Sequence, residues 1–298
     1  MSLQLAVTLW ACGSYQQGLS VATQAGKAAE ASGSRSLHMA AMQARMMLHH
    51  GLGRYVEASE DAAEVAREFA VELQARRLFP GWAVMASTNL HAFIIDIMTL
   101  RGNLAAAQAA CDAGYAELEE QDHPFSRVLL DFSRGELLLA QNRPAEAATL
   151  LHKALELCRV HEVSNMYPAI LAHLGGALAQ SGQAQEALAL LEPAVAQKLS
   201  RAGGRYNEYY FPYFLAIALQ EAGRIDEALA AARQACDAAA SFQQRGHEAR
   251  ALLLLATLEQ RKGRTRDSQE HLAEANALAK ACGMESFSDQ AAVLQHHA

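Results

Sequence analysis

The chain is short of the features that would place it in most functional classes. It has 25 Lys and Arg against 32 Asp and Glu, a formal net charge of −7, and no run of either sign. A nucleic-acid binder that works through phosphate needs a basic stripe, so DNA and RNA are excluded as expected partners. Cysteines number five, scattered and never in a CxxC pair, so they read as small buried hydrophobes in a reducing compartment rather than as a disulfide framework. No basic leader with a cleavage site opens the chain and no apolar run reaches membrane-spanning length, so a cytoplasmic protein with no membrane partner is expected.

Catalytic motifs are missing as well. Gly26-Lys27 lacks both the preceding glycine and the following hydroxyl of a phosphate-binding loop, and neither GxSxG nor HExxH occurs. His49-His50 and His296-His297 are adjacent pairs, which a helix points to different sides, so the 12 histidines read as surface and packing residues rather than metal ligands. The acidic group Glu117, Glu119, Glu120 and Asp122 reads as a solvated face, since a general-acid pair needs a cleft to shift its pKa values. No catalytic residue, cofactor or metal site is assigned, and the chain is not expected to be an enzyme. A deeply buried cluster of titratable groups would reopen that question.

What is present is repetition. Aromatics make up only 6% of a sequence that is 51% hydrophobic, much of it alanine, a mixture suited to thin, closely packed helices. Gly13, Gly53, Gly102, Asn142, Gly182, Gly223 and Gly263 mark a common phase, at intervals of 40, 49, 40, 40, 41 and 40 residues. Small residues follow five positions later (Gly18, Ala58, Ala107, Ala147, Ala187, Ala228, Ser268) and, with Val65 as the exception, twelve later (Ala25, Gly114, Ala154, Ala194, Ala235, Ala275). A period in this range is the signature of stacked supersecondary units. Around Gly182, the stripe Ile170, Leu171, Leu174, Ala177 and Leu178 predicts a helix from about 164 to 181. Gly182 ends it in the left-handed conformation, and Glu186 sits in the first turn of the next helix.

Leu174-Gly175, Gly182, Glu186-Ala187-Leu188 and Ala194 resemble the tetratricopeptide repeat consensus, lengthened here from the family's usual 34 residues to 40. The resemblance implies an all-α, right-handed solenoid of about seven helix–turn–helix units along 1–298, closed by a capping helix at about 284–297. Met46, Ile95 and Val65 depart from the small-residue pattern, which predicts looser or shifted packing in the early repeats. The nine extra residues around Arg76–Trp82 read as a longer loop with Phe79 and Trp82 on the solenoid edge. Gln244 to Leu253, and Cys282-Gly283-Met284 with Phe287, are similar to the C-terminal repeats of bacterial proteins that join a nucleotide cyclase to an AAA-type ATPase. In those an aromatic residue is common where Arg250 stands. LuxR-type ATP-dependent activators carry similar long repeats. The abrupt apolar start at Leu3, Leu5 and Val7 leads us to expect a piece of such a larger regulator.

In this family the first helix of each unit lines the concave face. By phase, Gln43, Asn89, Asp96, Phe132, Glu136, Tyr210, Tyr213 and Arg250 should face it. Tyr206 to Phe214 gathers six of the chain's aromatics, of which Phe211 and Phe214 are expected in the core and some of Tyr206, Tyr209, Tyr210 and Tyr213 toward a groove or solvent. The expected role is a protein–protein interaction or regulatory module that binds a protein or peptide, with homo-oligomerisation left open. The alternative is a small-ligand or peptide sensor in a LuxR-type regulator.

Overall fold

The computed structural model describes residues 2–71, 85–119, 123–197, 199 and 208–287. Among them are fourteen α-helices and no strand. In chain order these are α1 (Ser2–Ala11), α2 (Tyr15–Ala31), α3 (Arg35–Gly51), α4 (Tyr55–Val71), α5 (Ala86–Arg101), α6 (Leu104–Glu119) and α7 (Pro124–Ala140). They continue as α8 (Pro144–Val160), α9 (Tyr167–Gln180), α10 (Ala184–Ala196), α11 (Tyr210–Glu221), α12 (Ile225–Ser241), α13 (Arg245–Arg261) and α14 (Thr265–Cys282). Each odd-numbered helix and its successor form one repeat, and the whole is an all-α repeat solenoid. No described helix is long and apolar enough to cross a membrane. The Phe79–Trp82 loop and most of the expected cap lie outside the described residues.

All seven phase residues have positive φ and sit at the turn inside a repeat. At Gly182 (φ 85°) the Gln183 N–H reaches back to the Leu178 carbonyl at 2.9 Å and the Gly182 N–H to Ala179 at 3.1 Å. These bonds satisfy the orphan carbonyls of the helix end. Asn142 adopts the same conformation at φ 58°, which asparagine tolerates better than other side chains. Helix α9 starts at Tyr167 rather than near 164, because Glu162 is already left-handed (φ 56°) and Pro168 is suited to a first turn.

The small-residue columns are helix contacts. A Cβ on Gly175 would stand 2.5 Å from Cγ of Leu191, and one on Gly135 would stand 2.6 Å from Cδ2 of Leu151. Val65 is buried, as are the other residues of its column apart from Ala25, whose place in the first repeat is taken by buried Gly26. The looser packing predicted for the early repeats does not occur: Met46 and Ile95 are wholly buried. The reason is a volume exchange. Where the first helix carries glycine, the second supplies Leu151 or Leu191; where it carries Met46 or Ile95, the second supplies Ala62 or Cys111 from the same core clusters. Volume-conserving swaps of this kind keep a core filled. Ala187 has no exposed surface. Ala187→Leu is expected to cost roughly 1–3 kcal/mol by overpacking, read from the shift in a denaturation midpoint.

The solenoid winds far enough for its last two repeats to meet its first three. Gln244 Nε2 donates to the Tyr15 hydroxyl at 2.9 Å, across 229 positions of sequence. The Phe242 ring lies against Gly13, and Tyr55 lies against Gly246, where a Cβ would come within 2.0 Å of its hydroxyl. The Glu285 N–H donates to the Arg101 carbonyl at 3.1 Å, and the two side chains pair at 2.8 Å. Met284 and Phe287, just past Gly283, bury themselves in a cluster with Met39, Met46 and Leu90.

Candidate functional site

Winding turns the concave face into an interior shared by distant repeats. The odd-numbered helices line it, and the side chains reach it from a stripe with helical spacing. Counted back from each phase residue, Tyr210 and Arg250 stand thirteen positions away, Phe132 and Tyr213 ten, Asp96 and Glu136 six, and His50 three.

Two carboxylates are each held by a histidine of a neighbouring repeat. His50 Nε2 of α3 lies 2.8 Å from Oδ2 of Asp96 on α5. Glu136 Oε1 of α7 lies 2.9 Å from Nε2 of His173 on α9. The other ring nitrogen of His173 is 2.8 Å from the Ala169 carbonyl, which can only accept, so Nδ1 carries a proton. The contact of Nε2 with Glu136 therefore needs one further proton, shared between imidazole and carboxyl. Burial and then the neighbouring Asp96 push the Glu136 carboxyl up, against the pull of His173 and Arg250. His49, adjacent in sequence to His50, turns the opposite way and meets Asp61 at 3.0 Å.

Burial opposes charge on both His50 and Asp96, but their pairing prevails. His50 is raised above its ordinary 6.5 and Asp96 lowered below its ordinary 3.8. A raised histidine stabilises the fold below pH 6.5 and loses that contribution as pH climbs through its folded value. A lowered aspartate stabilises above 3.8 and loses it as pH falls. The pair is thus worth most between about pH 4 and 6.5. His50→Gln should lower the melting temperature most in that window, with the gap to wild type narrowing above it.

The aromatic wall comes from α7, α9, α11 and α13, with Tyr209 just before α11. The His173 ring meets Tyr210 at 4.5 Å, Phe214 at 4.6 Å and Phe132 at 4.8 Å between centroids. Tyr209 stacks on Tyr213 at 5.0 Å and meets His247 at 4.7 Å. The guanidinium of Arg250 lies over the Tyr213 ring at 5.3 Å. Burial, followed by Arg250, presses His247 down to about 3, so it is neutral at physiological pH. The Tyr209 hydroxyl, Oε2 of Glu136 and Oδ1 of Asn89 are buried without a hydrogen-bond partner among the described residues. A buried polar atom left so costs about 1–3 kcal/mol.

Of the eight residues expected on this face, six converge: Asp96, Phe132, Glu136, Tyr210, Tyr213 and Arg250. Gln43 lies beneath the face, wholly buried, where its Nε2 donates to the Ala86 carbonyl at 2.7 Å and braces α3 against α5. Asn89 is buried in α5. Phe211 and Phe214 are core, and Tyr206 lies outside the described residues. Sequence reasoning missed His50, His173 and His247, and named Tyr209 only as one of four tyrosines of which some face a groove or solvent. His50 and His247 fall on the same stripe, three and sixteen positions before Gly53 and Gly263, so extending it by a turn each way finds them.

The interior is the kind of buried titratable cluster that reopens an enzymatic reading. Burial, however, pushes Tyr55, Tyr209 and Cys282 away from nucleophilic ionisation, the thiol to about 11. Among the described residues no group of three or more His, Cys, Asp or Glu could hold a metal ion.

The chain carries tetratricopeptide repeats: the family described as Tetratricopeptide repeat matches residues 128–153, 168–193 and 213–234. Among curated proteins no sequence matches this chain. A Rap protein complexed with competence and sporulation factor is 13% identical over 97% of this chain and 79% of its own, with a TM-score of 0.70. The apo form of RapI is 12% identical over 99% and 80%, with a TM-score of 0.53. At these identities the likeness is one of fold.

Proposed function

We propose that this repeat protein is a recognition module that takes a peptide, or the peptide segment of a protein partner, into the interior of its solenoid. The observation that carries the reading is the convergence of Arg250, Tyr213, Tyr210, Glu136 and Asp96 from four repeats onto one face. Tyrosines give large contact area at little entropic cost, and a guanidinium reads a carboxylate through paired N–H donors. A Rap protein of similar fold was solved in complex with competence and sporulation factor, which supports recognition of a bound factor as the use of this fold here. The segment Gln244–Leu253, which resembles the repeats of cyclase–ATPase regulators, supplies His247, Arg250 and the contact at Gly246, in keeping with a regulatory role in a bacterial signalling protein.

Winding favours a second reading, in which the occupant is a small ligand rather than an extended chain, because contacts between the last repeats and the first three limit the length the face can take. Both readings put the ligand in the same place. Tyr213→Ala with Arg250→Ala should weaken binding at least tenfold, about 1.4 kcal/mol, in a folded protein. Pooled random peptides, scored by the rise in melting temperature they cause, give the comparison. Unchanged binding by the folded double variant would move the site off the interior.

A further inference from the structure

Among the described residues, Arg250 is a cation of this interior with no anion paired to it, and Glu136 has a carboxylate oxygen with no donor. Arg250 lies over the Tyr213 face and makes no hydrogen bond or ion pair among the described residues. A half-buried guanidinium, with five N–H donors in a fixed fork, is matched to a carboxylate. Two further donors stand beside it: the Tyr209 hydroxyl, 1% exposed and unpartnered, and the ring of His247, which packs on Tyr209. On the α7 side, Glu136 spends Oε1 on His173 and leaves Oε2 buried and unpartnered, with the charge of Asp96 near enough to act on it. Arg250 is close enough to act on both acids, yet it pairs with neither.

An excess cation alone would suit any anion, and an open carboxylate alone would suit any amine. Both poles in one interior, with aromatic rings between them, call for a ligand carrying both charges.

We infer that the interior binds a short zwitterion, its carboxylate on Arg250 and Tyr209 and its ammonium on Glu136. A free amino acid and a short peptide with unblocked ends share this chemistry. The inference rests on the interior being the recognition site. It adds that the charged ends of the ligand, rather than its sequence alone, are read. A site built around hydrogen bonds to both ends rejects analogues that lack one, since its own buried groups are then left stranded.

The test uses the whole 298-residue chain and ligand-dependent melting. The probes are pooled free amino acids and pooled random tripeptides and pentapeptides, each peptide pool with free ends, N-acetylated or C-amidated. A free-ended pool should bind, and blocking either end should weaken binding at least tenfold; the pool that responds separates amino acid from peptide. Arg250→Met should erase the difference between free and amidated pools while keeping the preference for a free amine. Glu136→Gln should do the converse. Arg250→Lys, which keeps the charge, should retain part of the carboxylate preference and serves if the methionine variant does not fold. Blocked pools that bind as well as free ones, yet still lose binding in Tyr213→Ala, would overturn the zwitterion and leave the interior site standing. No binding by any pool would overturn both.

Discussion

Phe214→Ala should unfold the protein about 3–5 kcal/mol more easily than wild type, the cost of a large-to-small change in a filled core. The ring is 2% exposed and is seated on bare backbone: a Cβ on Gly176 would come within 2.1 Å of it. It also meets His173 at 4.6 Å and Tyr213 at 5.2 Å, so it joins the core of the later repeats to the aromatic wall of the interior. A chemical denaturation series reads the loss as a lower midpoint at unchanged slope. Gly176→Ala supplies the control. It should be costly in wild type and well tolerated beside Phe214→Ala, since the methyl then enters the space that the ring has left. Equal cost in both backgrounds would mean that the two residues do not touch.

The second large effect lies at the shared proton. His173→Phe keeps the ring volume but leaves Oε1 of Glu136 buried without its donor, and breaking a buried pair in this way costs about 3–5 kcal/mol while the remaining group is charged. The cost should depend on pH with a definite sign. A carboxyl whose folded pKa is raised loses stability as pH rises from its unfolded value through its folded one. Removing the imidazole strengthens that trend. The stability gap between variant and wild type should therefore be widest at neutral pH and shrink toward pH 4.5, the ordinary value of a glutamate, as Glu136 takes up a proton. A gap independent of pH would show that the loss is one of ring packing alone.

The repeat itself was legible in the sequence because a helix end leaves an unambiguous mark: seven residues able to adopt positive φ, spaced by 40 or 41 residues except for one interval of 49, and followed, Val65 apart, by small residues at fixed offsets. Packing within a repeat was less legible. Met46 and Ile95 look like departures when their column is read alone, and become regular only against Ala62 and Cys111 on the partner helix. Six of the residues that share the inner face followed from phase, because inward-facing positions recur with the repeat. The histidines did not, since a ring that neutralises a carboxylate one repeat away, as His173 does for Glu136, has no local signature. Winding was invisible for the same reason. Nothing near Tyr15 in sequence points to Gln244, and a one-residue preference for glycine at 246 means little until Tyr55 is seen against it.

Whether distant repeats share one interior turns on the contact between the ends of that winding. In an open solenoid each repeat touches only its neighbours. Tyr15 and Gln244 would then be energetically independent. In the wound chain Gln244 Nε2 donates to the Tyr15 hydroxyl at 2.9 Å in a buried setting. A double-mutant cycle of Tyr15→Phe and Gln244→Ala, measured by chemical denaturation, decides between them. Winding requires a coupling of about 0.5–1.5 kcal/mol, the net worth of one such hydrogen bond. Additivity within about 0.3 kcal/mol would contradict it and leave the odd-numbered helices lining an open groove.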